Sequence, residues 1–138
     1  MKRLILILSV VFSLISCSKD SNQTTLDRLC NKWELTRWEH YKEGVLETTQ
    51  EGNFTTQFYT FSKEGTVKII KNDGSVAEYT FSFNEDTQIL TIPKLNHEYK
   101  VLSVSGTDMK WQYDSWAIGG NGPIEYQSYY YFNDSLKI

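Results

Sequence analysis

The chain has 138 residues and a formal net charge of −3 at pH 7, with 14 Lys and Arg against 17 Asp and Glu. Its length is that of one domain, and its charge balance lacks the basic face that nucleic-acid-binding proteins need, so no nucleic-acid partner is expected. The two His and two Cys residues form neither a His-x-x-x-His nor a Cys-x-x-Cys spacing, so the sequence predicts no zinc site and no other cofactor.

The first 16 residues have the organisation of an export signal. Met1-Lys2-Arg3 is positively charged, and residues 4–15 are apolar except for two serines. This run is too short for a transmembrane helix, which needs about 20 consecutive apolar residues. The sequence LISC at 14–17 resembles a bacterial lipobox. By that resemblance, residues 1–16 are a lipoprotein signal peptide, and Cys17 is lipidated with a diacylglyceryl group and a further acyl chain such as palmitate.

The resemblance to a lipobox also implies a location. Several acyl chains on one residue give lasting membrane attachment, whereas a single chain holds a protein only marginally. Ser18 follows the lipidated cysteine in place of the aspartate that retains lipoproteins in the inner membrane. We therefore expect a lipid anchor in the outer membrane, with the domain facing either the periplasm or the cell surface. Residues 17–25 are predicted to be the lipidated cysteine and a flexible tether, and 26–138 the folded domain.

The predicted elements begin with a short helix. Thr25 is a candidate N-cap, and Leu26, Leu29 and Cys30 share one helical face. Cys30 is expected to be a small buried apolar side chain and not a reactive thiol. From Trp33 onward the apolar period changes to two, which is typical of half-buried strands. Eight strands are predicted around residues 33–36, 59–61, 67–69, 77–83, 90–92, 99–104, 109–113 and 126–132.

Turns and connections separate these strands. Residues 72–74 (Asn-Asp-Gly) predict a hairpin, and a change of phase predicts a β-bulge near Leu102. The connection between the first two strands contains residues 45–54, and we interpret it either as a lid over a barrel or as a plain loop. Residues 119–123 are predicted to be the longest irregular connection. They lack the following helix and the Lys-Ser/Thr of a phosphate-binding loop.

Regularly spaced short strands determine the predicted fold class. With 4 Trp, 9 Tyr and 7 Phe, the chain is rich in residues that favour strands. Short strands joined by short turns are typical of an all-β sandwich or barrel, not of βαβ units. A closed barrel leaves no free sheet edges, which helps a chain without an intramolecular disulfide. The prediction is therefore an all-β, eight-stranded antiparallel up-and-down barrel with a short N-terminal helix.

Two segments, LCNKWELTRW at 29–38 and FYTFSKEGTV at 58–67, resemble the lipocalin-like domain of small bacterial lipoproteins. The matching residues are Leu29, Lys32, Trp33, Leu35, Thr60, Phe61, Gly65, Thr66 and Val67. The resemblance implies a small closed barrel, with Trp33 across its floor, that holds an apolar molecule. Asn31 stands where the family usually has glycine. Because asparagine tolerates a positive φ better than most residues, the turn is expected to persist.

Aromatic residues on the inward phase of the strands are the candidate ligand-binding residues. An eight-stranded barrel is just wide enough either to be filled by side chains or to hold one small ligand. These rings could fill the interior, or they could form an apolar site with a few phenol hydroxyls as polar groups. The candidates are Tyr79, Phe81, Phe83, Trp111, Tyr113, Tyr126 and Tyr130, with Phe132 in the same series.

Other aromatic residues are out of phase with the inward series and suggest an alternative function. Trp38, Trp116, Tyr129 and Tyr131 would form an exposed patch if they cluster, as in an envelope module that binds a protein or a glycan. The protein partner of such a module is unknown. His40 and His97 are predicted to be solvated strand residues, and nothing in the sequence marks a nucleophile. We therefore expect a binding protein and not an enzyme.

Overall fold

The computed structural model describes residues 23–135, so the predicted signal peptide, Cys17 and most of the tether lie outside the described residues. No helix within this range has the length and hydropathy needed to cross a membrane. A 3₁₀ turn covers Pro93–Leu95. The other elements are α1 (Thr25–Leu29), β1 (Lys32–Lys42), β2 (Val45–Gln50), β3 (Thr56–Phe61), β4 (Thr66–Lys71), β5 (Val76–Thr80), β6 (Ser82–Asn84), β7 (Ile89–Ile92), β8 (His97–Val104), β9 (Asp108–Gly119) and β10 (Gly122–Asp134).

The strands form one antiparallel sheet in the order β5-β4-β3-β1-β10-β9-β8-β7-β6, with β2 paired to β1. The two ends of this order, β5 and β6, are consecutive in the chain and are separated only by Phe81. The chain itself therefore closes the sheet into a barrel. This confirms the predicted all-β, antiparallel, up-and-down barrel architecture with its N-terminal helix. The predicted count of eight strands is wrong, because Phe81 divides one predicted strand and β2 is additional.

Strand β2 lies in the segment that the sequence analysis treated as a lid or loop. It pairs with β1 from Lys42 to Trp38, whereas β3 pairs with the other end of β1, from Glu34 to Lys32. β2 and β3 thus lie end to end along β1, and residues 51–55 fill the gap between them. All but the last side chain of β2 are exposed. A strand that is exposed on both faces has no alternation of apolar and polar residues, so periodicity could not reveal it.

Strands β9 and β10 form a ribbon that extends beyond the barrel. Their pairing continues without a register shift from Asp108–Asn133 to Gly119–Gly122, so the predicted long connection is a two-residue turn. A Cβ at Gly119 would lie 2.6 Å from Cδ1 of Ile124, so a larger residue there would displace the end of the Ile124 side chain. The prediction of an irregular loop was wrong because a glycine-rich sequence also suits a tight turn between long strands.

The core lies between α1 and the middle of the barrel. Trp111 is fully buried, with its ring centroid 4.4 Å from that of Phe132, 4.9 Å from Tyr99 and 5.2 Å from Tyr59, in tilted and edge-on arrangements. The core residues are Leu29, Trp33, Leu35, Tyr59, Phe61, Val67, Ile69, Leu90, Ile92, Tyr99, Val101, Met109, Trp111 and Phe132. This end of the barrel is therefore filled by side chains.

Helix α1 closes that end. Its N-cap is Thr24, one residue before the predicted position, and Thr24 forms a capping box with Asp27. Trp33 Nε1 donates a 2.9 Å hydrogen bond to the Leu29 carbonyl, which joins the helix to the barrel floor. Cys30 is only half-buried, so the expectation of full burial is wrong. It follows the last helical residue, at the edge of the core.

Two predicted local features, the hairpin at 72–74 and the bulge near Leu102, are present in the structure, and a third, a positive φ at Asn31, is not. The hairpin at 72–74 joins β4 to β5, and a register shift between Val101 and Ser103 confirms the predicted bulge near Leu102. Asn31 does not adopt a positive φ. Its side chain accepts the Lys32 N–H at 2.8 Å. The expectation that asparagine is tolerated here because it adopts a positive φ is therefore wrong.

Candidate ligand site at the open end of the barrel

The inner surface of β1, β10 and β9 continues past the core towards the open end of the barrel. Cross-strand neighbours in an antiparallel sheet share a face, so the register identifies which side chains belong to this surface. Three successive rows point inward: Trp38, Tyr130 and Trp111; then His40, Ser128 and Tyr113; then Lys42, Tyr126 and Ser115.

A cavity of about 360 Å³ opens on this inner surface, where β2 gives way to β3. The segment 51–55 forms its outer wall. Gln50 Nε2 holds that wall by donating to the carbonyls of Gly52 at 3.0 Å and Asn53 at 3.1 Å. The cavity is lined by Leu35, Trp38, Gln50, Asn53, Phe54, Thr55, Thr56, Tyr59 and Tyr130. The segment is thus the wall of an inner cavity, and its action as a lid stays a prediction.

Phenol hydroxyls supply the polar groups of this region. Burial raises the pKa of Tyr59, Tyr99 and Tyr130, and in Tyr130 it outweighs the opposing effect of a hydrogen bond from the Trp38 side chain. Mutual electrostatic repulsion of the ionised forms adds to the shift, since the hydroxyls are close together. At neutral pH these groups are therefore uncharged hydrogen-bond donors and acceptors in an apolar surrounding.

Trp111 adds an unusual donor below the cavity. Its Nε1 is buried and has no hydrogen-bond partner among residues 23–135, in contrast to Nε1 of Trp33. A buried donor without a partner costs about 1–3 kcal/mol, so such groups are uncommon in native cores. A ligand acceptor that reached Trp111 would remove this cost.

Both histidine side chains lie on the inner surface of the barrel near its open end, so the prediction that they are solvated is wrong. The His40 ring lies between those of Trp38 and Tyr126, at 5.4 and 5.3 Å, and its Nδ1 is 3.0 Å from Ser128 Oγ. His97 Nδ1 is 2.9 Å from the Tyr99 hydroxyl. Both rings are half-buried and hydrogen-bonded.

A bulge in β1 explains why Trp38 and His40 face inward. The register against β10 shifts between Leu35 and Arg37, so one extra residue reverses the phase of the strand. Trp33 and Leu35 face inward before the bulge, and the even-numbered residues face inward after it. The prediction that Trp38 belongs to an outer patch is therefore wrong, and sequence periodicity had no means of detecting the change.

The seven predicted site residues are spread over several parts of the barrel. Tyr79, Phe81 and Phe83 are half-buried on the opposite wall, where the Phe81 ring is edge-on to Phe61 at 5.1 Å. Trp111 is in the centre of the core, and Tyr130 lines the cavity. The other two are Tyr113, which lies 5.5 Å from Tyr99, and Tyr126, which stacks on His40 at the rim. Sequence analysis missed Trp38, Phe54 and Tyr59 as cavity residues.

The outer face of the same strands carries the remaining aromatic residues. Tyr129 and Tyr131 lie side by side, with Lys110 Nζ 4.9 Å from each ring centroid. The Tyr131 hydroxyl donates at 2.6 Å to Glu39, which also accepts from Arg37 at 3.0 Å. The hydrogen bond from Tyr131 lowers the pKa of Glu39, and burial together with that bond raises the pKa of Tyr131 to about 12.

Within the described range, no group of three or more His, Cys, Asp or Glu side chains is arranged to hold a metal ion.

Comparisons with known proteins give one structural likeness. No family model matches the sequence, and no curated protein matches it. Among solved structures, the chain is similar to a deswapped triple mutant of bovine odorant binding protein. The identity is 19%, the match covers 80% of this chain and 76% of that chain, and the TM-score is 0.42. The fold assignment rests on the strand order and closure described above.

Proposed function

We propose that this protein is a lipid-anchored lipoprotein of the bacterial envelope that binds a small, mostly apolar molecule at the open end of its barrel. The observation that carries the proposal is the cavity of about 360 Å³ between Trp38, Tyr59 and Tyr130. Small-molecule sites typically have about 300–1,000 Å³ and an apolar lining with few polar groups. The volume of this open cavity lies in that range, and its lining combines the apolar surface of Leu35, Trp38 and Phe54 with polar groups of Gln50, Asn53, Thr55 and Thr56.

The lining also indicates what kind of molecule fits. Leu35, Trp38 and Phe54 offer apolar and aromatic surface, while the neutral hydroxyls of Tyr59 and Tyr130 can donate to an acceptor. No charged side chain lines the cavity among the described residues. The proposed ligand therefore has an apolar body and also carries hydrogen-bonding groups, such as a carbonyl group, that match the polar part of the lining. The proposed role is binding, without catalysis.

Native mass spectrometry tests the ligand proposal. A chain of residues 18–138 is purified without detergent, and its native mass is compared with its denatured mass. We expect a discrete additional mass that is lost on denaturation. Tyr130→Ala should abolish it and Tyr129→Ala should retain it, because Tyr130 lines the cavity and the adjacent Tyr129 points outward.

Two results would contradict the ligand proposal. One is an additional mass that both variants retain equally, which would place the molecule elsewhere. The other is a chain that carries no additional mass even after incubation with extracts of envelope lipids and fatty acids.

The anchor has a separate test. The support for it is the LISC sequence at 14–17, outside the described residues. We expect the full chain to fractionate with membranes and to carry acyl chains on Cys17, and Cys17→Ser to lose both properties. Unmodified Cys17 in the wild-type protein would refute the anchor without affecting the ligand proposal. If Cys17 is acylated, protease treatment of intact cells would distinguish a surface-facing domain from a periplasmic one.

Exposed apolar side chains on β9 favour a second function, interaction with another protein. Trp116 is 69% exposed and Ile118 is 82% exposed. Both lie on the ribbon beyond the barrel and do not line the inner cavity.

A further inference from the structure

Strand β9 has an open edge. On one side it pairs with β10 along its whole length, from Asp108 to Gly119. On the other side it pairs with β8 only from Met109 to Gln112. Residues 113–119 therefore have no strand on that side within the described chain.

The direction of the unpaired backbone groups follows from a hydrogen bond of β10. The Glu125 carbonyl accepts the Glu43 N–H at 2.9 Å, so the backbone of Glu125 faces away from β9. Glu125 is opposite Trp116, and in an antiparallel ladder such a pair is of the non-hydrogen-bonded kind. The N–H and carbonyl of Trp116 therefore face the open side. By alternation, those of Asp114 and Ile118 do so as well.

The sequence gives this edge little of the usual protection, since Asp114 is the only charged residue of the segment 113–119. Free edges of natural sheets are blunted by lysine, proline, bulges or shortness. The segment 113–119 reads Tyr-Asp-Ser-Trp-Ala-Ile-Gly, and its register with β10 is unbroken. It also carries the exposed Trp116 and Ile118. The open edge of β2 differs, because its register with β1 shifts between His40 and Tyr41.

A groove of about 560 Å³ lies beside this edge, where β8 and β9 diverge after Lys100 and Gln112. Its two walls come from β8 and β9, and it includes apolar residues from β7 and the following turn. A second cavity of about 220 Å³ continues along the ribbon and shares Asp114 with the first. The groove is lined by Ile89, Thr91, Pro93, Asn96, His97, Glu98, Lys100, Gln112, Tyr113 and Asp114.

We propose that the open edge of β9 binds an extended peptide segment of a partner protein by strand addition. Backbone groups of Asp114, Trp116 and Ile118 would make the main-chain hydrogen bonds, and the groove would receive alternate side chains of the peptide. This site is distinct from the inner cavity.

The acidic residues beside this edge indicate the charge of the peptide that would bind. The groove at the edge and the adjoining cavity on the β9–β10 ribbon contain the acidic Glu98, Asp114 and Glu125 against one lysine, Lys100. A peptide with basic residues alternating with apolar ones complements this lining. A second copy of the chain fits less well, because it would bring its own Glu98 and Asp114 to the same edge.

The test uses a defined probe, a seven-residue peptide of alternating lysine with valine or isoleucine, blocked at both ends. Its effect on a chain of residues 18–138 is followed by NMR chemical shifts and amide hydrogen exchange. We expect shift changes at Asp114, Trp116 and Ile118, and exchange of the last two amides slowed by about tenfold or more. The same peptide with glutamate in place of lysine should cause neither effect.

Two variants at one position separate main-chain from side-chain binding. Trp116→Pro removes an N–H that faces the open side and leaves the bonds to β10 in place, so it should weaken peptide binding by about tenfold or more. Trp116→Val keeps the N–H and a strand-forming side chain, and it should still bind the peptide. The dispersed NMR spectrum of each variant reports whether it is folded.

Three outcomes would overturn the proposal. The first is binding whose shift changes lie away from 113–119. The second is equal binding by wild type and Trp116→Pro, or loss of binding in Trp116→Val as well. The third is self-association of the wild type that Trp116→Pro abolishes, which would assign the edge to a second copy of the chain.

Discussion

Trp111 and Trp116 lie on the same strand, and replacement of each by alanine gives a matched test of the packed core. Trp111 is 0% exposed and Trp116 is 69% exposed. Removal of a buried Trp or Phe side chain costs about 3–5 kcal/mol, whereas exposed substitutions usually stay within about 0.5 kcal/mol. Trp111→Ala also removes the unpaired Nε1, which offsets part of the loss. We therefore expect about 3 kcal/mol for Trp111→Ala, near the lower limit of its range.

Urea unfolding followed by circular dichroism measures both variants against the wild type. With a slope of about 1–3 kcal/mol per molar urea, the Trp111→Ala midpoint should fall by about 1 M or more, and that of Trp116→Ala should hardly move. A loss below about 1 kcal/mol for Trp111→Ala, or equal losses in the two variants, would refute the packed interior. The slope serves as the control, since a changed slope would signal a changed unfolded or native ensemble.

Two further predictions concern ionisation. Tyr131→Phe removes the main cause of the lowered Glu39 pKa, so it should cost about 1.5 kcal/mol at neutral pH. The stabilisation by ionised Glu39 is complete above pH 4.5 and is lost as the pH falls through the lower folded-state pKa. Urea unfolding near neutral pH and at about pH 3 checks this, and equal losses at both would contradict it. Tyr59, Tyr99 and Tyr130 have raised pKa values in the folded protein. The free energy of unfolding should therefore fall as the pH rises above 10. Ultraviolet titration should show these three phenols ionising only on unfolding, and full ionisation in the folded state near pH 10 would contradict the assignment.

The fold could be predicted from sequence because the barrel buries one face of most strands and exposes the other. In β9, Met109 and Trp111 are buried and alternate with more exposed residues, and this alternation is what period-two patterns detect. Strand β2 was not predicted because almost all of its side chains are exposed. The division of one predicted strand into β5 and β6 at Phe81 was not predicted for another reason. The apolar alternation continues through it, and only the change of partner from β4 to β7 separates β5 from β6.

The candidate site was only partly predictable. Tyr130 and Trp111 could be placed on the inner face because β10 and β9 keep one register throughout. Trp38 and His40 could not, because the bulge after Leu35 reverses the phase of β1. Thr36, within the shifted segment, donates a hydrogen bond to the Tyr131 carbonyl, a long-range contact with no local sequence signal. A single extra residue thus moved two aromatic rings from the predicted surface into the candidate site.

The two ends of the barrel have different roles in the proposed function. The Leu26 N–H donates to Glu85 at 2.9 Å, and Asp27 pairs with Lys63 at 3.3 Å, so α1 lies at the closed end. Residues 18–25 reach at most about 26 Å, whereas the 13 residues of β10 have an extended length of about 43 Å. If Cys17 is lipidated as proposed and the barrel stands on its closed end, its cavity and the β9 edge would face away from the anchoring bilayer. In that orientation, ligand and partner approach from the facing compartment and not from the bilayer.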